Sequence, residues 1–393
     1  MPEAIDLFDP ELYRGDPHNV WTALRRHEPV YHDVVNDMWA LTRHADVVEA
    51  ERRSEIFSSR GCYRAYVAPQ ETNMIAHDDP RHTAQRRLVN RRFTPKEMKA
   101  RTAEIEELIE ELLEPVATAG EMEVVDALAA QLPSRLTCRM IGFPEEEWPF
   151  VKSLSERLMR IDDRHNNESM TGMIAAVGEL FGRVQEEVSR RRECPADDLL
   201  TIWSTATVDG EPLDTETVLH ETGLFVSGGA ETTRTLISHG LRTFCDHPDQ
   251  WERLAAEPEL VPRAVEELLR WVTPLNNMFR TTTAATVIGG VDLPAGARVM
   301  LLYPSANRDE AVFDDPFRFD ITRHPNPHVA FGNGTHFCLG APLARHAVGL
   351  LLAALTRRFT NLRVLSEPDV EPNMFARAVR SFRLGFDRRD QQP

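Results

Sequence analysis

The stretch VAFGNGTHFCLGAPLARHA, Val329 to Ala347, surrounds one thiol, Cys338, with Gly332, Gly334 and Gly340 and places His336 two residues before it. A helical pattern starts at about Leu339, so its free N–H groups and positive end would be aimed at the sulfur, which favours a thiolate. A thiolate held in such a loop is a metal ligand or a nucleophile. As a nucleophile it needs a base, and His336 is the neighbour at hand. A zinc site built from His324, His328, His336 and Cys338 matches no common zinc spacing. Neither reading accounts for the glycines. Gly332 and Gly334 permit positive φ and close approach to something flat or bulky, and Gly340 lets the helix begin beside the same object. The other cysteines, Cys62, Cys138, Cys194 and Cys245, read as small buried hydrophobes.

Three further segments carry polar groups that a plain helix would not need. In LFVSGGAETTRTL, Gly228 and Gly229 each cost about 1 kcal/mol in mid-helix relative to alanine. Glu231 and Thr232 are polar in an apolar helix, which is costly without partners. Thr232 has a structural alternative, a bond back to an earlier carbonyl that merely bends the helix. In AVEELLRWVTP, Glu267 and Arg270 stand i,i+3 on one face, a pair worth only tenths of a kcal/mol when solvated. DDPRHTAQRRLVNRRFTPKEMKAR is basic within an acidic chain. From Arg81 to Arg101 it holds eight Lys or Arg and one acid, a run whose default reading is a solvated face.

FGNGTHFCLG resembles the F-G-x-G-x-H-x-C-x-G signature of cytochrome P450, the haem-thiolate monooxygenases, and the likeness spans nearly the whole chain with its motifs in the family's order. The resemblance implies that Cys338 is the axial iron ligand of a haem b, its electron donation favouring O–O cleavage. Phe331 would pack near the sulfur, and the glycines would let the loop pass close under the porphyrin. Glu267 and Arg270 would be the family's buried E-x-x-R pair, completed by Arg318 in DDPFRFD, with Arg323 the alternative. GGAET is similar to the oxygen-binding motif A/G-G-x-D/E-T, with Glu in place of the commoner Asp. There the helix opens locally above the haem, Glu231 relays protons, and Thr232 steadies the activated oxygen through a hydrogen bond and water. His82 and Arg86 match the D-P-x-H-x-x-x-R pattern and, with Arg280 and His336, would meet the two propionates, which call for cationic donors. Arg87, Arg91, Arg92 and Lys96 would form a docking face for an acidic ferredoxin, or simply be solvated.

The elements that position these residues read as a mainly α protein with a small β subdomain. The resemblance makes this a triangular helical bundle around a buried haem, one domain over 1–393. The β-rich parts fall at about 28–60, 277–302 and 361–387, and the helical body at about 80–275 and 338–359. KEMKARTAEIEELIEELLEPVATAG reads as one amphipathic helix ending near Gly120, and MTGMIAAVGELFGRVQEEVSRRR as another with an Arg-rich end. DTETVLHETGLFVSGGAETTRTLISHGLRTFCDHP is the longest, opening at Asp214, and being apolar on nearly every face it should cross the core.

The chain has 393 residues and 42% hydrophobic residues, enough for a sizeable core, and a net charge of −17. That charge argues against nucleic-acid binding. MPEAIDLFDPELYRGDP does not read as a signal peptide, and no apolar stretch reaches the ~18 residues of a membrane span. Five widely spaced cysteines form no disulfide framework, so a reducing cytoplasm is expected. The reaction implied by the resemblance inserts one atom of O2 into a C–H bond, with electrons from NAD(P)H. With no flavin domain or iron–sulfur cysteine cluster in the chain, they would arrive through ferredoxin and ferredoxin reductase. Several segments are expected to line an apolar substrate pocket: SSRGCYRAYVAPQETNMI, ERLMRIDDRHNNESMTGMIAAV, Leu224, Phe225, TPLNNM, Met374 and Phe375. The likeness is greatest to the actinobacterial branch that oxidises sterol side chains and branched lipids. Polyketide or terpenoid tailoring is the alternative substrate class, and a non-catalytic haem-thiolate sensor the alternative kind of protein.

Overall fold

The computed structural model describes residues 5–61, 63–65, 71–160 and 167–389. The helices that matter to the site are α1 (His44–Arg52), α2 (Arg81–Val89), α3 (Thr102–Ala117), α4 (Gln131–Ile141), α5 (Trp148–Met159), α6 (Asn167–Glu193), α7 (Thr215–Asp246), α8 (Val261–Val272) and α9 (Ala341–Arg358). Asp214 caps α7 by accepting the Thr217 N–H at 2.7 Å, an N-terminus read directly from the residue type. From there the helix runs 32 residues and packs against α4, α5, α6 and α8. Two of its buried hydroxyls are satisfied within the helix: Thr222 Oγ1 donates to the Val218 carbonyl at 2.7 Å and Ser227 Oγ to that of Gly223 at 2.8 Å. One apolar cluster joins α3, α7, α8 and α9; a second joins α4, α5, α6 and α7, and Leu343 at the start of α9 touches both.

The basic-to-acidic helix expected as one piece is two. Pro95–Ala100 ends at Arg101 (φ −89°, ψ 0°), whose N–H is shared between the Glu97 and Met98 carbonyls, and α3 sets off from there. The turn lets Met98 and Ile105 both become buried, with each helix against α9.

Strands β1 (Val30–Asp33), β2 (Met38–Leu41), β3 (Phe57–Ser58), β4 (Asn277–Thr282) and β5 (Arg298–Leu302) form one sheet in the order β1-β2-β5-β4-β3. β5 lies parallel to β2 and antiparallel to β4, with Val299 opposite Arg280. The sequence-distant 30s and 300s therefore share one sheet. A second sheet pairs Phe359–Val364 with Arg383–Arg388 and takes its third strand, Glu121–Glu123, from within the stretch expected to be helical body. The architecture is mainly α with small β sheets. Among the described residues no helix is long and apolar enough to cross a membrane. Of the cysteines read as buried, Cys138 is buried and Cys245 partly so. Cys194 is exposed, because it sits past the end of α6; Cys62 lies outside the described residues.

Candidate active site

A cavity lies between α4, α7 and the loop that precedes α9. Its walls are largely apolar, with Leu136 and Met140 from α4, Leu224, Phe225 and Leu236 from α7, and Met278 from β4.

Cys338 opens onto this cavity. Its N–H donates to the Phe331 carbonyl at 2.9 Å, and α9 begins at Ala341, two residues later than the pattern indicated. Burial pushes the thiol pKa up, while the Gly340 N–H, the Arg86 charge, the Ala341 N–H and the Arg345 charge pull it back. In so desolvated a place, a bound positive centre would make the thiolate the stable form. Phe331 lines the same cavity, its ring covered by the Arg345 guanidinium at 4.7 Å.

The positive φ expected at Gly332 and Gly334 is observed. Gly332 and Gly334 sit at φ +69° and +66°, where side chains are strained. What crowds them is α1. A Cβ on Gly332 would lie 2.9 Å from Glu51 Oε1, and one on Gly334 would collide with the Glu51 carbonyl oxygen. At Gly340 a Cβ would meet the Cys338 sulfur at 3.9 Å, an ordinary contact.

His82, Arg86, Arg280 and His336 all reach the cavity rim. The two imidazoles face each other with ring centroids 4.2 Å apart. Arg86 donates to the Phe337 carbonyl and Arg280 to that of Phe279, each at 2.7 Å. His336 Nε2 is buried without a hydrogen-bond partner among the described residues. Burial, then Arg280, His82 and Arg86, push the His336 pKa down to about 2. Cationic groups crowded on one edge, with an orphaned ring nitrogen among them, fit an anionic ligand. A sulfur ligand, an apolar slot and that rim together suit a flat group with carboxylates along one side, as haem has.

On α7 the structure separates two residues expected to act together. Thr232 lines the cavity, but its hydroxyl donates to the Gly228 carbonyl at 2.8 Å, and the helix runs through without opening. The structural alternative for Thr232 is thus the one observed. Gly228 borders open cavity, whereas a Cβ on Gly229 would stand 2.9 Å from Thr137 Oγ1. Glu231 points away from the cavity. It accepts from Arg234 Nη2 at 2.6 Å, Arg234 also pairs with Glu156, and Glu231 Oε2 has no partner among the described residues. Burial raises its pKa to about 7, against the pull of Arg234.

Glu267 and Arg270 form a fully buried bidentate pair, at 2.7 and 2.8 Å. Arg270 also donates to the carbonyls of Asn307, Pro316 and Arg318, and Glu267 accepts from the Asp320 N–H and Asn326 Nδ2. The expected third member is corrected: Arg323, not Arg318, brings its guanidinium to Glu267, at 3.2 Å. Arg318 contributes only its carbonyl, and its side chain is 68% exposed beside Asp320. His328 pairs with Glu266 at 3.0 Å rather than turning to Cys338.

The expected pocket residues divide. Leu224, Phe225, Pro274, Leu275, Met74 and Ile75 line the cavity. Met374 and Phe375 belong to another cluster, where their carbonyls hold Asn277 and Asn276. No described residue of the α5–α6 pair lines it, and the parts of those expectations at 66–70 and 161–166 lie outside the described residues. α4, Glu51 and Tyr303 were not anticipated. For α4 the signal available was an amphipathic helix with Met and Leu on one face; for Glu51 there was none.

A cysteine thiol opening onto an apolar cavity bordered by a long helix and a cationic edge, in a mainly α fold, is the arrangement of a haem-thiolate class of site. The cytochrome P450 family profile matches residues 135–384. The chain is 38% identical over 376 residues to a steroid C26-monooxygenase of Mycobacterium tuberculosis, covering 95% of this chain and 94% of the relative. It is 33% identical to a linalool 8-monooxygenase of Pseudomonas putida, over 93% and 94%. Among solved structures, a Mycobacterium marinum cytochrome P450 in complex with pseudoionone superposes with a TM-score of 0.91 at 32% identity, covering 98% of this chain and 99% of that one. A Bacillus megaterium protein in complex with testosterone gives 0.89 at 30%, over 96% and 99%. This chain belongs to the cytochrome P450 family. It is a monooxygenase that uses haem with cysteine-thiolate ligation and takes its electrons from NAD(P)H through redox partners.

Proposed function

We propose that this enzyme hydroxylates a steroid or branched lipid, with Cys338 as the iron ligand. The observation that carries the substrate class is a cavity walled by aliphatic and aromatic side chains, with Thr137, Thr232 and Thr233 as the hydroxyls near its α7 wall. The names of its relatives, steroid C26-monooxygenases among them, support the same class. Titrating the ferric protein with a side-chain-bearing sterol, an acyclic terpenoid and a macrolide, and following the shift to high spin, tests it. The sterol is expected to give the fullest shift at the lowest concentration; a shift with the macrolide alone would overturn the assignment.

Haem held here supplies binding and reductive activation of O2, so that one oxygen atom enters a C–H bond and the other leaves as water. The protein's own groups do the rest. Arg86, Arg280, His82 and His336 would hold the cofactor's carboxylates, and Gly228 leaves the α7 wall of the cavity open. Glu231 sits on the far side of α7, paired with Arg234, and Thr232 offers a hydroxyl on the near side once it turns from the Gly228 carbonyl. Thr232→Ala is expected to lower product formation roughly 10²-fold, the scale of a lost proton-delivery group, while NAD(P)H consumption continues. Unchanged product per NAD(P)H would remove Thr232 from the mechanism. Glu267, Arg270 and Arg323 are structural.

Electrons arrive from ferredoxin and its reductase. Arg92 is engaged with Asp197, so docking falls to the exposed Arg87, Arg91 and Lys96. The enzyme works as one domain in the cytoplasm.

A further inference from the structure

Among the described residues lining the cavity, Glu51 is the sole carboxylate. It stands near the C-terminal end of α1, 3% exposed. Its Oε1 accepts the Tyr303 hydroxyl at 2.7 Å and lies 3.8 Å from Arg280 Nη2, and the Asn333 N–H donates to the carboxyl group. Its Oε2 is buried without a partner among the described residues. The loop that carries Cys338 is built around this side chain, since Gly332 has no Cβ where Glu51 Oε1 sits.

We infer that Glu51 is a further member of the propionate cradle, bound as a neutral acid whose Oε2 donates a hydrogen bond to one haem propionate. The inference rests on the haem site proposed above. Charge balance points to the neutral form. Arg86 and Arg280 match the two propionate charges, and an ionised Glu51 would add a third anion to a desolvated rim. Hydrogen bonding points to Oε2, because Tyr303 and Asn333 already donate to the carboxyl and leave one oxygen unsatisfied.

Burial raises the Glu51 pKa to about 7, opposed by Arg280, then Tyr303, then Asn333. The groups facing it are Arg280 from β4, Tyr303 after β5 and Asn333 in the cysteine loop, with His336, His82 and Arg86 further along the rim. On α1 itself Arg52 turns to Asn333 Oδ1 and Glu49 pairs with Arg53. A propionate beside the carboxyl raises its pKa further, so haem binding takes up a proton. Haem affinity therefore falls as pH rises through the haem-free value.

The test is haem transfer from the holoenzyme to apomyoglobin, followed at the Soret band between about pH 6 and 9 for the parent, Glu51→Gln and Glu51→Leu. The parent's haem-loss rate should rise about tenfold across the range, the effect of one pKa unit of linkage. Glu51→Gln keeps a donor that does not titrate, and should release haem slowly with a flat profile. Glu51→Leu donates nothing and should release haem faster than the parent at the acid end. The parent-minus-Gln difference isolates Glu51 from His82 and His336, which both variants keep. A Gln profile that tracks the parent's, or a Leu variant as retentive as the parent at low pH, would overturn the inference. A parent chain that takes up no haem would instead overturn the haem site itself, a failure common to all three proteins.

Discussion

Replacing Cys338 by serine is expected to abolish the red-shifted band of the reduced CO complex and to reduce monooxygenation to background. The change removes one polarisable atom and little else. The Cys338 N–H still reaches the Phe331 carbonyl, and the Gly340 and Ala341 N–H groups can point at an oxygen as they do at the sulfur. Serine, however, keeps its proton under conditions where a metal-bound thiol has lost it, so the electron donation that favours O–O cleavage is gone. The side chain opens into the cavity and supports no core packing, so unfolding free energy of the haem-free chain should move by no more than ~0.5 kcal/mol. A thiolate-type CO spectrum retained by Cys338→Ser would refute the ligand assignment. A protein that lost both its spectrum and its fold would show that the residue is needed for packing instead.

Glu267→Ala should cost the most stability of any single change in this site, about 3–5 kcal/mol, because it strands a fully buried arginine. Total stabilities are ~5–15 kcal/mol, so the variant is expected to unfold at much lower urea concentration and to lose haem. Four groups lose their acceptor at once: Arg270, Arg323, the Asp320 N–H and Asn326 Nδ2. Arg318→Ala is the informative control. Its guanidinium is exposed and its carbonyl, which Arg270 uses, survives the substitution, so its effect should stay within ~0.5 kcal/mol. Urea titration of the three proteins side by side checks both values. Equal losses for Glu267→Ala and Arg318→Ala would contradict the geometry.

These two residues also mark the boundary of what could be read before folding. Cys338 was legible because a cysteine, three glycines and a helix start lie within nine residues. Local backbone chemistry alone makes that arrangement a thiolate loop. The Glu267–Arg270 spacing was legible as a pair on one helix face. That it is buried, and worth kcal/mol rather than tenths, depends on segments 37 to 59 residues away closing over it. Arg318 and Arg323 are alike in type and near in sequence. Only the path of the chain sends one residue's carbonyl and the other's guanidinium into the core.

Glu51 went unnoticed for a similar reason. A glutamate in a short, charged helix is ordinarily solvated, and nothing within its own segment says otherwise. It is buried because α1, Arg280, the cysteine loop and Tyr303, 252 residues further along the chain, meet there. The same meeting crowds Gly332 and Gly334, where a Cβ would meet Glu51. On α7, composition announced that glycines and polar residues interrupt an apolar helix, but not which way each faces. Glu231 and Thr232 are adjacent, so the ~100° helical step per residue turns them apart, and the neighbouring helices decide that Thr232 meets the cavity while Glu231 meets Arg234. Sequence by itself determined the chemistry available: a cysteine in a glycine-bounded loop before a helix, a His–Arg pair one turn apart on α2, and a long core helix with a break in its apolar pattern. Tertiary structure decided which of those groups are desolvated and which point at one another. Burial and direction are properties of contacts between distant segments, and no local pattern encodes them.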